Sequence, residues 1–121
     1  MCEDLFGHRP SVGSIVRSVL KSAAQMEPAV AQIATALSQA PVLHADETGV
    51  RCAGKTHWLH VLGTATTTLY THSAKRGMEG LSVAGVLPEY GGKLMHDFWG
   101  PYDKLEHCEH LRCNAHLLRE L

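Results

Sequence analysis

The chain has 121 residues, 45% of them hydrophobic, which is enough for one domain with an apolar core. A formal net charge of −1 excludes a generally basic surface, so nucleic-acid binding would need a local basic stripe or a further segment. Met1-Cys2-Glu3-Asp4 lacks the basic-then-apolar pattern of a secretory signal and no apolar stretch approaches bilayer length, so a cytoplasmic protein with reduced thiols and no membrane partner is expected.

Residues 1–10 read as an irregular lead-in broken by Gly7 and Pro10. From Ser14 to Ala40 the pattern is helical, with Ile15, Val19, Ala23, Met26, Val30, Ile33 and Leu37 on one apolar stripe. Ser11 or Ser14 caps its start, Pro28 divides or kinks it, and Pro41 ends it. Strands follow. Val42–Asp46 is the first, Gly49–Lys55 reads as a turn, and Thr56–Ala65 and Thr68–Ser73 complete an antiparallel meander. Lys75–Leu87 returns to helical spacing through Met78, Leu81, Val83 and Val86, weakened by Gly77, Gly80 and Gly85. Lys93–Asp97 is a fourth strand, parallel to an earlier one because a helical crossover precedes it. Tyr102–His107 and Asn114–Leu121 read as helical, with Leu117, Leu118 and Leu121 on an apolar stripe. The fold class is α/β: a helical segment over 1–40, then a mixed sheet with flanking helices over 41–121.

Two aspartates stand out. Asp46 closes Val42-Leu43-His44-Ala45-Asp46, and Asp97 closes Leu94-Met95-His96-Asp97. A carboxylate ending a buried strand needs compensation, and a cation is one solution. A returning fourth strand can lie beside the first, which would bring the two acids together. Their oxygens suit Mg²⁺ or Mn²⁺, although a pair of such ions needs a third carboxylate. The competing reading makes each Asp a cap of the following turn. Glu47, next to Asp46, is directed to the other face by strand alternation. His44 and His96 read as packing or orienting neighbours of the acids before they read as ligands.

Nine histidines are many for this length. Cys108, His110, Cys113 and His116 offer donors that zinc prefers, yet the spacing departs from standard fingers; a buried or hydrogen-bonded Cys/His pair is the alternative. Trp58, Trp99 and Tyr102 read as core and loop packing.

The run Val42-Leu43-His44-Ala45-Asp46-Glu47-Thr48-Gly49-Val50-Arg51, with Gly54-Lys55-Thr56-His57-Trp58-Leu59-His60-Val61 after it, resembles the first catalytic motif of the insertion-sequence-66 family of bacterial transposases. Lys75-Arg76-Gly77, Gly85-Val86-Leu87-Pro88, His96-Asp97-Phe98-Trp99-Gly100-Pro101-Tyr102 and Cys113-Asn114-Ala115-His116-Leu117-Leu118-Arg119-Glu120-Leu121 match that family in order. The resemblance covers residues 40–121, and 5–40 is similar to the helical region ahead of that domain.

The resemblance implies a ribonuclease-H-like core with an Asp-Asp-Glu site that cuts and joins DNA, using Mg²⁺ or Mn²⁺. Asp46 matches the first acid and Asp97 the second, while the third, a downstream glutamate, has no counterpart. Glu120 matches the Leu-Arg-Glu-Leu motif instead. The expectation is the front part of a catalytic domain, inactive alone in strand transfer. In the complete enzyme it implies transposon-end and target DNA as partners, a homo-oligomer, and work at the bacterial nucleoid. Lys75 and Arg76 either contact DNA phosphates or form a solvated basic pair. A Cys-x-x-His step after the second Asp implies a structural role near the site. The other readings are a non-catalytic DNA- or zinc-binding module and a ribonuclease-H-like nuclease or resolvase.

Overall fold

The computed structural model describes residues 2–120, except the side chains of Cys2, Phe6 and Glu120. The chain forms two compact units, Met1–Ala31 and Gln32–Leu121. Helix α1 (Cys2–Phe6) occupies the expected irregular lead-in. It ends at Gly7, whose φ of 61° lets its N–H return to the Glu3 carbonyl at 2.8 Å. Helix α2 (Val12–Ser38) begins where the Ser11 hydroxyl accepts the Ser14 N–H at 3.1 Å. Pro28 lies within α2 and does not divide it. Its missing N–H leaves the Ala24 carbonyl without a helical donor, and α2 continues past that local loss. Of the apolar stripe, Leu37 is buried and Ile33 packs against the core, whereas Ile15, Val19, Met26 and Val30 are exposed.

The second unit is built on a five-stranded sheet ordered β3-β2-β1-β4-β5. Its strands are β1 (Val42–Cys52), β2 (Lys55–Gly63), β3 (Thr68–Ser73), β4 (Lys93–His96) and β5 (Glu109–Arg112). β1, β2 and β3 form the antiparallel meander, β4 runs parallel to β1, and β5 runs parallel to β4. This is the expected mixed α/β sheet, an antiparallel meander with a parallel fourth strand, extended by a parallel fifth.

Several elements differ from expectation. β1 continues through Gly49 to Cys52, and the hairpin reverses at Ala53-Gly54, with φ of 48° and 78°. Two positive φ values suit a two-residue hairpin loop, whose twist matches the flanking strands. Lys75–Leu87 is not one helix. Only α3 (Met78–Leu81) is α-helical; Gly85 then turns the chain at φ 66° before a 3₁₀ turn at Leu87–Glu89. Tyr102–His107 is replaced by a 3₁₀ turn over Gly100–Lys104. β5 arises in a segment without a clear strand pattern. Helix α4 spans Asn114–Glu120, and Leu121, the expected last helical residue, lies outside the described residues.

Alternation along the strands separates two faces. Leu43, Ala45, Leu62, Leu69 and Leu94 belong to the core with Leu37, Leu81, Val86, Leu87, Tyr90, Tyr102 and Leu105. The Tyr90 hydroxyl lies 2.9 Å from the Ala40 carbonyl, so this buried phenol is satisfied where the chain enters β1. The opposite face carries His44, Asp46, Val61, Tyr70 and Met95, with Tyr70 62% exposed. Among the described residues no helix is long and apolar enough to cross a membrane.

Gly80 brings α3 close to β2, because a Cβ there would overlap the His60 imidazole and the Lys75 carbonyl. Gly80→Ala is expected to lower stability by about 1–3 kcal/mol in urea titrations. Gly77→Ala, whose Cβ meets open space, should stay within about 0.5 kcal/mol. Ala53→Asn should stabilise by about 1 kcal/mol, since Asn tolerates the left-handed region better than Ala; an unchanged urea midpoint would contradict a left-handed Ala53.

Candidate functional site

The ladder between β1 and β4 runs Val42↔Lys93, Leu43↔Leu94, His44↔Met95. Two residues further in the same register, Asp46 comes opposite Asp97. Asp46 therefore does not end its strand: it sits inside β1 at the level where β4 stops, beyond which β1 is paired with β2 alone. Asp97 is the first residue after β4. Asp46 follows the His44/Met95 face, away from the core.

Among the described residues neither carboxylate is paired with a Lys or Arg. Asp46 is 59% exposed; its Oδ1 accepts the Glu47 N–H at 2.9 Å, and its Oδ2 lies 4.0 Å from His116 Nε2. Asp97 Oδ1 accepts the Trp99 N–H at 2.9 Å, a turn that orients the carboxyl group. A cleft of about 260 Å³ opens beside Asp46, lined by residues including His44, Asp46, Val61, Met95, Cys113 and His116. Asp97 is not among its lining residues. The carboxylates retain lone pairs directed away from backbone donors, and two hard oxygen donors of this kind fit Mg²⁺ or Mn²⁺ better than a soft metal.

The two adjoining histidines divide between the faces. His44 is exposed and lines the cleft. His96 is buried; its Nδ1–H donates to the Asp97 carbonyl at 2.6 Å, its Nε2 lies 2.9 Å from His110 Nδ1, and its ring stacks on Tyr102 at 4.6 Å. Burial lowers its pKa and favours the neutral ring, against the opposing pull of that carbonyl.

The Cys/His set is not gathered into one four-ligand cluster. Along β5 His110 pairs with Leu94 and so lies on the core side, with Cys108 Sγ 3.9 Å from its Nε2. Cys113 and His116 line the cleft beside Asp46. Of the two readings, four zinc donors or a hydrogen-bonded Cys/His pair, the geometry gives two separate pairs, Cys108 with His110 and Cys113 with His116. Cys113 directly precedes α4, where the N–H and imidazole of His116, and then the N–H of Ala115, pull its thiol below the ordinary pKa. Burial pushes Cys108 up. Among the described residues, sets of three donors within 4.8 Å of one another occur at Cys52/His57/His72 and at His96/Asp103/His110. In the second, the Asp103 carboxylate is also paired with Arg112 at 2.5 Å.

Lys75 bonds Glu79 at 2.8 Å in an exposed pair, which raises its pKa. Arg76 turns inward. Its Nε and Nη2 donate to Glu47 Oε1 at 3.0 and 2.7 Å, and its guanidinium lies 4.7 Å from the Trp58 ring centroid and 4.2 Å from that of Trp99. Glu47 Oε2 accepts the Tyr102 hydroxyl at 2.6 Å, and the Glu47 side chain is only 1% exposed. Burial, the bond to Glu47, and the charges of Glu47, Asp97 and Asp46 hold the Tyr102 pKa far above the phenolic range, so the phenol stays a donor. Trp58, Trp99 and Tyr102 are thus packing residues with a defined polar partner. The available signal was Glu47 itself, an acid in phase with Leu43 and Ala45 on the apolar face of β1.

The family model described as "Transposase IS66 family" matches residues 1–121. A chain from the cryoEM structure of the simian T-cell lymphotropic virus intasome in complex with PP2A regulatory subunit B56 gamma is similar at a TM-score of 0.47 and 15% identity. That match covers 60% of this chain and 31% of the neighbour, so this chain spans less than a third of it. No curated protein matches the chain. On the full-length family match, the chain belongs to the IS66 family of transposases.

Proposed function

We propose that this chain provides the first two acids of the metal site of a DNA transposase, Asp46 and Asp97. Residues 41–121 are then part of the catalytic domain and 1–40 a helical lead-in. The observation that supports the reading is the β1–β4 register, which, carried two residues past His44↔Met95, brings Asp46 opposite Asp97 where β4 ends. Membership of a transposase family supplies the reaction class.

In this reading Asp46 and Asp97 hold Mg²⁺ or Mn²⁺ through oxygens not engaged by Arg or Lys. Such an ion supplies positive charge to a phosphodiester and acidifies an attacking water. The Trp99 N–H fixes one Asp97 oxygen, which leaves the other for the ion. Glu47 is not the third acid, because both its oxygens are engaged on the core side. A third carboxylate comes, in this proposal, from outside these two strands.

The reaction of the whole transposase is hydrolysis at the element's end, followed by in-line attack of the freed 3′-hydroxyl on target DNA. Transposon-end and target DNA, and further copies of the transposase, are the proposed partners. Lys75, exposed in its pair with Glu79, is the proposed phosphate contact of the basic pair. Arg76 has its guanidinium stacked between two indoles and bonded to Glu47.

Asp46→Asn and Asp97→Asn are each expected to weaken Mn²⁺ binding to the 121-residue chain by at least about tenfold in titrations followed by electron paramagnetic resonance. In a whole transposase carrying this sequence, either substitution should abolish transposition in a cell-based mobility assay. Normal mobility with either variant would refute the catalytic assignment.

A further inference from the structure

The β1–β4 ladder stops at His44↔Met95, before the level of the two acids. Ladder hydrogen bonds therefore do not tie Asp46 to Asp97. What crosses between their segments lies on the other side of the sheet. Glu47 follows Asp46 on β1, and its carboxylate bonds Arg76 and Tyr102. Trp99 donates its N–H to Asp97 while its indole packs on the Arg76 guanidinium, and Tyr102 packs edge-to-face on Trp99 at 5.6 Å. The turn that begins at Asp97 is thus fastened to Glu47 at two points, through Trp99 on Arg76 and through the Tyr102 hydroxyl.

We propose that Arg76 and Glu47 are positioning residues that set the separation and orientation of Asp46 and Asp97; this rests on the reading of those acids as a metal site. Neighbouring residues of a strand point to opposite faces, so holding the Glu47 carboxylate fixes the backbone from which Asp46 projects. The Glu47 N–H also donates to Asp46 Oδ1 at 2.9 Å, which couples the two directly. On the other arm, a Trp99 indole held against a planar cation fixes the peptide whose N–H orients Asp97. Filling the core does not itself require charge, since apolar groups of similar volume often serve as well as a buried ion pair. The pair adds direction: two N–H groups meet one oxygen, a phenol meets the other, and two rings bracket the guanidinium.

The test separates stability from affinity in the 121-residue chain. The double variant Glu47→Leu/Arg76→Met replaces the pair with apolar groups, and Tyr102→Phe removes a single hydroxyl while keeping the ring. Thermal unfolding and Mn²⁺ titration are measured for each, beside Asp46→Asn and Asp97→Asn. Outer partners of metal ligands commonly change affinity by about 10–100-fold. The double variant should lose about tenfold or more in Mn²⁺ affinity while keeping a cooperative transition, and Tyr102→Phe should lose less, in the same direction. Should the double variant fail to fold, Tyr102→Phe alone decides, by whether its affinity falls while its fold persists. Wild-type affinity in the folded Glu47, Arg76 and Tyr102 variants, with binding lost in the Asp variants, overturns the positioning role alone. Unchanged affinity in Asp46→Asn and Asp97→Asn overturns the metal-site reading, and this proposal with it.

Discussion

Strand alternation sends Glu47 to the apolar side of β1, where a carboxylate must be met by a cation and by donors for both oxygens. Arg76 and Tyr102 meet it, and much of the surrounding structure follows from that requirement. The loop after β3 has to reach back over β2 to deliver Arg76. Trp58 and Trp99 close on the guanidinium, and each such contact contributes about 0.5–2 kcal/mol depending on desolvation. Removing one member of a buried pair costs about 3–5 kcal/mol. Arg76 is 38% exposed, which puts the cost here toward the lower end.

The same alternation creates the open face. Asp46 and Glu47 are adjacent in sequence and work on opposite sides of one strand. β4 is only four residues long, so β1 outruns it, and the open face has a carboxylate at the point where sheet pairing changes from two neighbours to one. Cys113 and His116 come to that face because β5 ends at Arg112 and α4 starts immediately after. On the core side, Glu47 and Arg76 tie β1 to the loop after β3.

The meander was legible in the sequence where local chemistry and tertiary structure agree. Thr68–Ser73, rich in β-branched and aromatic residues, has the expected bounds. Gly49 misled because glycine usually marks a turn; here it lies in β1 opposite Trp58, whose ring passes 3.9 Å from where a Cβ would stand. β5 was illegible because Glu109-His110-Leu111-Arg112 has little strand character and depends on pairing with β4. The face of Glu47 was readable from alternation. Its partner was not readable, since Arg76 lies 29 residues away and local pattern favours a solvated basic pair. Which of Cys108, His110, Cys113 and His116 lie together was not readable either, since spacing along the chain does not say on which side of a sheet each donor falls.

In the proposed site a divalent ion is held by Asp46 and Asp97. Paramagnetic broadening of backbone amide signals by substoichiometric Mn²⁺ locates such an ion directly in the ¹⁵N-labelled chain. With an ion at that site, signals of residues 45–47 and 96–99 broaden first and together, and recover when excess Mg²⁺ displaces the Mn²⁺. Broadening centred instead on Cys52, His57 and His72, or on Asp103 and His110, with residues 46 and 97 unaffected, would contradict it.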